Sequence, residues 1–487
     1  MLKTLPLAAL LLLGACTVGP NYAGPPKAAS DAVARGTFVR AKDTAFTPTP
    51  GLARWWESLG DATLNRLVDD ALAHSPNIDL AQARIREARA QVDSRRAGQL
   101  PSVSANATYL HAELPGTSVG NTANSGDTSG SGSDISSLNF YNLGGQVSWE
   151  ADLFGGGRRG IEQARATVGQ RFADLADAQV SLSAQVAQAY VNLRDVQTRQ
   201  RINVQSSKLQ HQALDLTRQR YQAGTASLLD VQRLQTQAQN TDAQNVPLAA
   251  QIDQYKDQLA MLTGREPGTL DATLDTPAPV PLPPAQVPIG DPATLLSHRP
   301  DIRSAERALA AGNANIGVQK AKLFPKLNFM GIIGLGGTSP GNVFDPSMLT
   351  TLAAPMLSWS FLDFGRTRAA IRSAEAQRDE ADAQYREKVL EALQDAEQNL
   401  SLFGNVRQQL GQLSAAERTA TQAALLNRQR YQAGTSTLID QLDIERQQLS
   451  AALSVAQAKA QLTNAYIGVQ KSLGLGWSEP ATSPPAP

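Results

Sequence analysis

The chain is 487 residues long, 42% of them hydrophobic, and its 44 Lys and Arg residues balance 44 Asp and Glu residues. A net charge of zero argues against a nucleic-acid binder, because such proteins need a basic surface to contact phosphates. Aromatic residues make up only 5% of the chain. A composition poor in aromatic residues favours long, closely packed helices over a sandwich of short strands.

The N-terminal residues have the pattern of a cleaved secretion signal. Lys3 is followed by a short apolar run, residues 5–13, and then by Gly14-Ala15-Cys16. The run is too short to span a bilayer as a helix, so we expect residues 1–15 to be a signal peptide. Small residues directly before a cysteine resemble the bacterial lipobox, which predicts that Cys16, the only cysteine of the chain, becomes an acylated N-terminus.

The residue after the cysteine predicts in which membrane the lipoprotein is located. Thr17 stands where an Asp would retain a lipoprotein in the inner membrane, so we expect an outer membrane protein whose residues 16–60 form a lipidated, extended segment. A buried apolar helix that happens to contain a cysteine is the alternative. No later stretch has about 18 uncharged apolar residues, so any crossing of a membrane requires strands.

Residues 61–275 contain the first copy of a repeated order of elements. We predict a helix over 61–98, strands over about 101–112 and 143–154, and a hairpin of two long helices with its tip near 222–227. In the second strand, apolar or small residues alternate with polar or small residues, which gives one apolar face and one polar face. A half-buried soluble sheet has the same alternation, but a length of about ten residues is typical of a tilted transmembrane strand.

Two segments of this repeat stand out by composition and length. Residues 116–134, rich in Gly, Ser, Asn and Thr, are predicted to be a flexible loop between the strands. The first hairpin helix, predicted over 158–222, would be roughly 100 Å long at 1.5 Å per residue. From Val168 to Val196 its apolar residues recur at spacings near three and four, which favours a narrow coiled-coil seam over a broad core-facing stripe.

A second copy of the same order follows a proline-rich linker, residues 276–291. RQRYQAGT occurs at Arg218 and again at Arg428, and a period this long indicates a duplicated half rather than a solenoid. Residues 475–487 are predicted to be a flexible tail. Within residues 292–474 we predict a helix over 292–323, strands over about 325–336 and 352–364, a long helix over 365–432, a tip near 432–437 and a helix over 437–473.

The repeated octet predicts the reversal of the chain at each hairpin tip. Gly224 and Gly434 are placed to end the long helices, because Gly adopts the left-handed conformation without penalty. Tyr221 and Tyr431 precede them in the two tips. Residues after each glycine offer N-caps for the next helix; they are Thr225, Ser227, Thr435 and Thr437.

Four amphipathic strands cannot close a barrel within one chain, because the smallest bilayer-spanning barrels have eight. An open edge in lipid leaves unpaired backbone groups that cost several kcal/mol each, so the chain must associate. Two copies give eight strands, with an interior filled by side chains. Three copies give twelve strands and a lumen. If the protein is a channel, the homotrimer is the simplest closure.

The chain resembles the TolC-like outer membrane efflux proteins, in the lipoprotein branch that serves resistance-nodulation-division (RND) pumps. The resemblance covers nearly the whole mature chain. It implies a mixed α/β membrane protein, a trimer with a twelve-stranded transmembrane β-barrel and a long periplasmic α-helical barrel. It also implies two partners, a periplasmic adaptor and an inner-membrane pump, and an end remote from the membrane that is closed at rest. The motifs that carry it are CTVGPNY at Cys16, WWESLGDATLNRLVDDAL at Trp55, LPSVSANATY at Leu100 and the two RYQAGT segments with the LLD and LID that follow.

The resemblance also implies a gate at the hairpin tips, made of aspartates held by Tyr and Arg contacts between neighbouring hairpins. Ser436 departs from the pattern, since some relatives have an arginine there, and this puts one salt bridge between hairpins in doubt. Arg233 stands at the position equivalent to Asp443 with the opposite charge. The family pattern falls on Tyr431, Ile439, Asp440, Asp443 and Arg446 in the second repeat and on Asp230 in the first.

Two of these carboxylates have an alternative role. Ser227-x-x-Asp230 and Thr437-x-x-Asp440 both fit the capping box, so capping and gating stay open for them. Asp443 fits no such motif and is the strongest gate candidate. A ring of three Asp443 residues is expected to favour cations and to raise the pKa of the carboxylates.

Nothing in the sequence indicates an enzyme. The four histidines are scattered, without metal-ligand spacing. GGGRRG at Gly155 lacks the spacing of a phosphate-binding loop and favours a sharp bend from strand to helix. We expect no cofactor besides the lipid on Cys16. The alternatives to an efflux channel are an outer membrane duct for type I protein secretion, a coiled-coil spacer of the envelope, and an enzyme without a recognisable pocket.

Overall fold

A computed structural model describes residues 17–114 and 136–478 of the chain. The expected signal peptide, the acylated Cys16, nearly all of the predicted loop at 116–134 and residues 479–487 of the tail lie outside the described residues. Within them the protein is mixed α/β and mostly helical. No described helix combines the length and the apolar character needed to span a bilayer.

The element order is the same in the two halves. Each half has a pair of helices, two strands and a hairpin of two long helices. The helices are α1 Ser30–Arg35, α2 Ala62–His74, α3 Pro76–Ala97, α4 Gly156–Gln222, α5 Leu228–Leu262, α6 Asp271–Leu274, α7 Pro292–His298, α8 Pro300–Ala321, α9 Arg366–Gln432 and α10 Leu438–Ser472. The strands are β1 Phe46–Thr47, β2 Ser102–Leu114, β3 Ser136–Ala151, β4 Val287–Pro288, β5 Lys326–Gly337 and β6 Leu349–Ser358.

The chain divides into two compact units. The first contains residues 17–24, Glu87–Val168 and Arg307–Asp382, and the second contains Pro25–Arg86, Gly169–Glu306 and the described residues from 383 onward. The first unit holds a four-stranded antiparallel sheet in the order β2-β3-β5-β6. Among the described residues, β2 and β6 therefore each have one neighbouring strand and one open edge.

For residues 102–109 of β2 and 141–151 of β3, the register of the sheet places apolar side chains on one face, which continues across β5 and β6. Val103 pairs with Val147, Trp149 with Phe329, and Leu327 with Leu357. Because strand residues alternate between faces, odd-numbered positions share the face of these pairs. Beyond Tyr109 the pattern reverses, since the pair His111–Asn139 lies on this face and Leu110–Phe140 on the other. In β2 and β3 the opposite face carries Ser, Asn, Thr and Gln, whereas β6 is apolar on both faces.

Three strand ends differ from the sequence prediction. β3 begins at Ser136, upstream of residue 143, because its first residues pair with the far half of β2, where Tyr109 stacks on Tyr141 at 4.9 Å. β3 ends at Ala151 rather than at 154, and β6 ends at Ser358 rather than at 364. β3 ends where Asp152, the next residue, serves the following helix, and β6 ends at Ser358 because its partner there, Lys326, is the first residue of β5. Asp363 likewise serves the helix that follows β6.

These two aspartates start the long helices. The Asp152 carboxylate accepts hydrogen bonds from the N–H groups of Gly157 (3.1 Å) and Arg158 (2.8 Å). The Asp363 carboxylate accepts them from the N–H groups of Gly365 (3.0 Å) and Thr367 (2.8 Å). A carboxylate that satisfies free N–H groups at a helix start cannot also continue the strand.

Each predicted helix before the strands is in fact two helices. The first breaks between α2 and α3 at Ser75, and the second between α7 and α8 at Arg299. Both residues have extended backbone and precede a proline, Pro76 or Pro300. Proline disfavours the helical conformation of the preceding residue, so the single helices predicted over 61–98 and 292–323 were wrong.

The second unit has a dense core around Trp55, Trp56 and Tyr466, each 1% exposed. Between Leu182 and Gln197, nearly every residue of α4 is buried or half-buried. The expected narrow seam is therefore wrong for this part of α4, because the N-terminal segment and neighbouring helices cover it on most sides.

The N-terminal segment and the linker are tied into this unit. The Glu397 carboxylate accepts hydrogen bonds from the backbone N–H groups of Val39 (2.8 Å) and Arg40 (2.7 Å), and Arg407 pairs with Asp43 at 2.7 Å. Strand β1 of the segment pairs in parallel with β4 of the linker. The N-terminal segment and the linker are therefore both part of the folded second unit.

Candidate functional site at the hairpin tips

The two hairpin tips have nearly the same geometry. Gly224 and Gly434 adopt left-handed backbone, with φ of 72° and 73°. The N–H of the following threonine donates to a carbonyl five residues upstream, Thr225 to Arg220 and Thr435 to Arg430, each at 2.8 Å. This is the hydrogen-bonding pattern by which a glycine ends a helix, so the repeated octet encodes the same turn twice.

A capping box begins the second helix of each hairpin. The Asp230 N–H donates to the Ser227 hydroxyl at 3.1 Å, and the Ser227 N–H donates to the Asp230 carboxylate at 3.2 Å. Asp440 and Thr437 repeat this exchange at 3.1 and 3.4 Å. The hydrogen bonds from the Ser227 hydroxyl and backbone lower the pKa of Asp230. Both aspartates are thus engaged as helix caps in the single chain.

Asp443 lies one turn further along α10 and is paired. Arg446 donates to one of its carboxylate oxygens at 2.6 Å and Gln447 to the other at 3.1 Å. The hydrogen bond from Arg446 is the main cause that lowers the pKa of Asp443. Within one chain the direction is therefore opposite to that expected for an isolated ring of aspartates.

A groove near the tips is lined by residues of both hairpins. Leu209 and Leu234 of the first hairpin and Leu442 of the second provide apolar contacts. The structure thus brings five predicted gate residues to one place, although they come from two repeats. The predicted gate residues that line it are Asp230, Arg233, Ile439, Asp443 and Arg446.

The other predicted residues lie apart from this groove. Asp440 is not among its lining residues, and neither is Tyr431. The Tyr221 and Tyr431 side chains are 45% and 39% exposed. Among the described residues, their hydroxyls have no hydrogen-bond partner.

A buried polar network inside the second hairpin lies outside the sequence predictions. The Asn427 amide donates to Gln441 at 3.0 Å, and the Gln441 amide donates to the Glu445 carboxylate at 2.7 Å. Arg428 donates to the same carboxylate at 2.8 Å. The equivalent positions of the first hairpin hold Thr217, Val231 and Gln235. The sequence signal for the network is the difference between the two repeats at these three positions.

The comparison with known proteins decides the family. A family model described as outer membrane efflux protein matches residues 67–265 and 292–475, which is most of the chain. The chain belongs to the outer membrane efflux protein family.

The matches to individual relatives span nearly the whole chain. The solved structure of the outer-membrane channel OprN has a TM-score of 0.84 and 34% sequence identity, and the match covers 95% of this chain and 100% of that one. The toluene efflux pump outer membrane protein TtgI of Pseudomonas putida is 28% identical over 479 residues, 98% of each protein. Outer membrane protein OprJ of Pseudomonas aeruginosa is 28% identical over 482 residues, 96% of this chain and 95% of that protein.

Family membership establishes the general function and the location of the protein. The chain is a TolC-like outer membrane efflux channel protein, located in the outer membrane with a large periplasmic portion. Its role is transport, which is not a catalytic role. The resemblance identified from the sequence motifs is confirmed. The functions of the individual tip residues stay predictions.

Proposed function

We propose that three copies of the chain form an exit duct for small molecules, built as a twelve-stranded barrel with four strands from each copy. The observation that carries this proposal is the open sheet of the first unit. It has one face that is apolar over most of the strand length, and it leaves one free edge on β2 and one on β6. Joining β2 of one copy to β6 of the next satisfies both edges, which a bilayer requires.

The helical hairpins supply the periplasmic part of the duct. Each chain contributes two hairpins from two internal repeats, so a trimer has six tips and twelve helical struts. Helices of 67 residues, as α4 and α9 are, suit a periplasmic helical barrel better than a compact domain. The partners are a periplasmic adaptor and an inner-membrane RND pump, since relatives such as TtgI are named as outer membrane components of efflux pumps.

The tips form the resting gate of this duct. Asp443 and Arg446 from each copy would line its narrow end, together with Ile439 from the same helix. The support is the groove that gathers Asp230, Arg233 and these three residues at the end of the hairpins. The acyl chains on Cys16 add a membrane anchor to the barrel.

A matched pair of variants in β3 tests the barrel. Val147 lies on the apolar face and Gln146 on the polar face of the same strand. If the apolar face contacts lipid, Val147→Arg costs about 2–4 kcal/mol at mid-membrane and depletes the protein from outer membrane fractions. Gln146→Arg, which points into the duct, leaves the amount unchanged. Equal tolerance of both changes contradicts the proposal.

Two further measurements test the assembly and the cargo. Crosslinking of the purified, acylated protein in detergent is expected to trap trimers, and planar bilayers containing it are expected to conduct ions. A stable lone protomer, or an absence of conductance, contradicts the duct.

In a deletion strain, accumulation of small toxic compounds supports efflux. Unchanged accumulation together with a lost secreted protein supports type I secretion.

A further inference from the structure

The residues directly after Cys16 are bound by a single buried arginine. Arg159, in the first turns of α4, donates from Nε to the Val18 carbonyl at 3.2 Å and from Nη2 to the Gly19 carbonyl at 3.2 Å. Nη2 also donates to the Asn21 side chain at 2.6 Å. The remaining guanidinium nitrogen, Nη1, pairs with Glu162 at 2.7 Å. Every guanidinium nitrogen therefore has a partner.

Further contacts hold the same five residues, Thr17 to Asn21. The Val18 N–H donates to the Phe154 carbonyl at 3.1 Å, and the Asn313 amide donates to the Pro20 carbonyl at 3.1 Å. The segment thus touches the bend between β3 and α4, the start of α4 and the middle of α8, all within the first unit.

The burial of Arg159 shows that this contact is built rather than incidental. The residue is 4% exposed, and a buried guanidinium is costly unless hydrogen bonds satisfy its donors. Here the segment supplies three of the four acceptors. Without the segment, most of these donors would lose their partners.

Glycines make room for the close approach. A Cβ atom on Gly155 would lie 2.9 Å from the Thr17 Cα, and one on Gly317 would lie 2.7 Å from the Arg159 side chain. A side chain at either glycine would displace the segment or the arginine. Gly155, which the transport function leaves unexplained, therefore has a local purpose.

The contact site for residues 17–21, formed by Arg159 and Gly155 and called the seat below, has no equivalent among the described residues of the second repeat. The bend from strand to helix is nevertheless the same. The equivalent of Gly155 is Gly365, which is also left-handed with φ of 88°. A Cβ atom on Gly365 would meet nothing within 4 Å. The position equivalent to Arg159 is Ala369. The bend is common to both repeats, whereas the seat exists only where the single N-terminal segment lies.

We infer that Arg159 is a positioning residue for the lipid anchor: it fixes residues 17–21 at the junction of β3 and α4, so that the acylated Cys16 is held beside the membrane end of the channel wall. This inference rests on the proposed acylation of Cys16. The seat turns a flexible tether into an anchor with a fixed position, which would keep the acyl chains close to the strand ends.

Thiol labelling of a Val18→Cys variant tests the seat directly. In the parent, Val18 is half-buried, so a membrane-impermeant maleimide should react slowly. Adding Arg159→Met should raise the labelling rate by roughly tenfold, because several charge-assisted hydrogen bonds are lost. Arg159→Lys, which keeps the charge but not the forked donors, should give an intermediate rate. Protein without the Val18→Cys change measures any background from Cys16.

Arg165→Met is the matched control, since Arg165 is an exposed arginine six residues further along α4. It should leave labelling at residue 18 unchanged. If Arg159→Met does not fold, Asn21→Ala removes the 2.6 Å acceptor without altering the helix and should still raise the rate. Labelling that is equally slow in Asn21→Ala and in a folded Arg159→Met overturns the inference. Channel conductance in the same samples reports separately on the proposed function.

Discussion

The Ser436 hydroxyl donates a hydrogen bond to the side-chain oxygen of Asn427 at 2.9 Å. This contact of Ser436 is made within its own hairpin. Asn427 in turn leads to Gln441 and Glu445, and all three are less than 8% exposed. The first hairpin has no such network at the equivalent positions. The two hairpins therefore have the same tip geometry. They differ in the seam, that is, in the buried contacts between the two helices just below the tip.

Exchanging the seams tests what the network contributes. Gln441→Val, which copies Val231 of the first hairpin, should destabilise the tip by about 1–3 kcal/mol because Asn427 and Glu445 each lose one of their buried hydrogen bonds. The triple change Asn427→Thr, Gln441→Val and Glu445→Gln copies the whole first seam and should recover most of that loss. Amide hydrogen exchange of the second tip measures both effects. The first tip is the internal reference, and a triple variant as labile as the single one contradicts the prediction.

Removing Asp443 should open the resting gate. Asp443→Ala breaks the ion pair with Arg446 and is expected to raise resting single-channel conductance and to lower the preference for cations. The exposed pair contributes about 0.2–1 kcal/mol, so the ratio of closed to open channels should fall by a factor of roughly 1.4 to 5. Arg446→Ala should also raise conductance but should increase the preference for cations. Unchanged conductance and selectivity in both variants would remove the pair from the gate.

The pH dependence of the gate follows from the same pair. Arg446 lowers the pKa of Asp443, so the pair contributes stability above the ordinary Asp pKa of about 3.9 and loses it as pH falls through the lower folded value. In a trimer each Asp443 brings its own Arg446, so the ring has no net charge. Resting conductance should therefore stay constant from about pH 5 to 8 and rise only under more acidic conditions. A conductance step between those values that disappears in Asp443→Ala contradicts this.

Capping and gating can be separated for Asp440. Thr437→Ala removes the hydroxyl of the capping box but keeps the carboxylate, and it should cost about 1 kcal/mol at the helix start. If Asp440 only caps α10, Asp440→Ala and Thr437→Ala should loosen the tip equally and leave ion selectivity unchanged. A selectivity change in Asp440→Ala alone would assign the carboxylate to the gate. Ser227→Ala and Asp230→Ala make the same comparison in the first hairpin.

The sequence predicts those features that depend on local pattern. The alternation around Val147 locates a strand, and Gly224 locates a helix end, because neighbouring residues determine both. The helix breaks before Pro76 and Pro300 could also have been predicted from the sequence, because proline disfavours the helical conformation of the residue before it. The predicted strands include Asp152 and Asp363, because sequence alone does not show whether a carboxylate faces a sheet or a helix start.

Contacts between distant parts of the chain could not be predicted in this way. Arg159 binds Asn21 across 138 residues, and nothing near either residue indicates the pairing. The same holds for the α4 stretch from Leu182 to Gln197, whose periodicity suits a narrow seam. Its broad burial depends on segments such as Trp55–Leu59, far away in the sequence.

Tyr190 links such distant segments in the second unit. Its hydroxyl donates to the Asp61 carboxylate at 2.7 Å, and the same carboxylate caps α2 by accepting from the N–H groups of Thr63 and Leu64. The Tyr190 residue is 1% exposed. Burial and, next, the hydrogen bond to Asp61 raise its pKa to about 12.

Tyr190→Phe should lower the free energy of unfolding by about 1.5–3 kcal/mol, because a buried hydrogen bond to a charged group is lost. Since the folded pKa is raised from 10.0 to about 12, the contribution of the tyrosine is complete below pH 10 and is lost as pH rises through the folded value. Thermal unfolding of the parent and the variant should therefore converge on alkalinisation. Tyr255→Phe, whose hydroxyl has no partner among the described residues, should behave like the parent. A stability difference that does not depend on pH would show that the Asp61 contact is not its source.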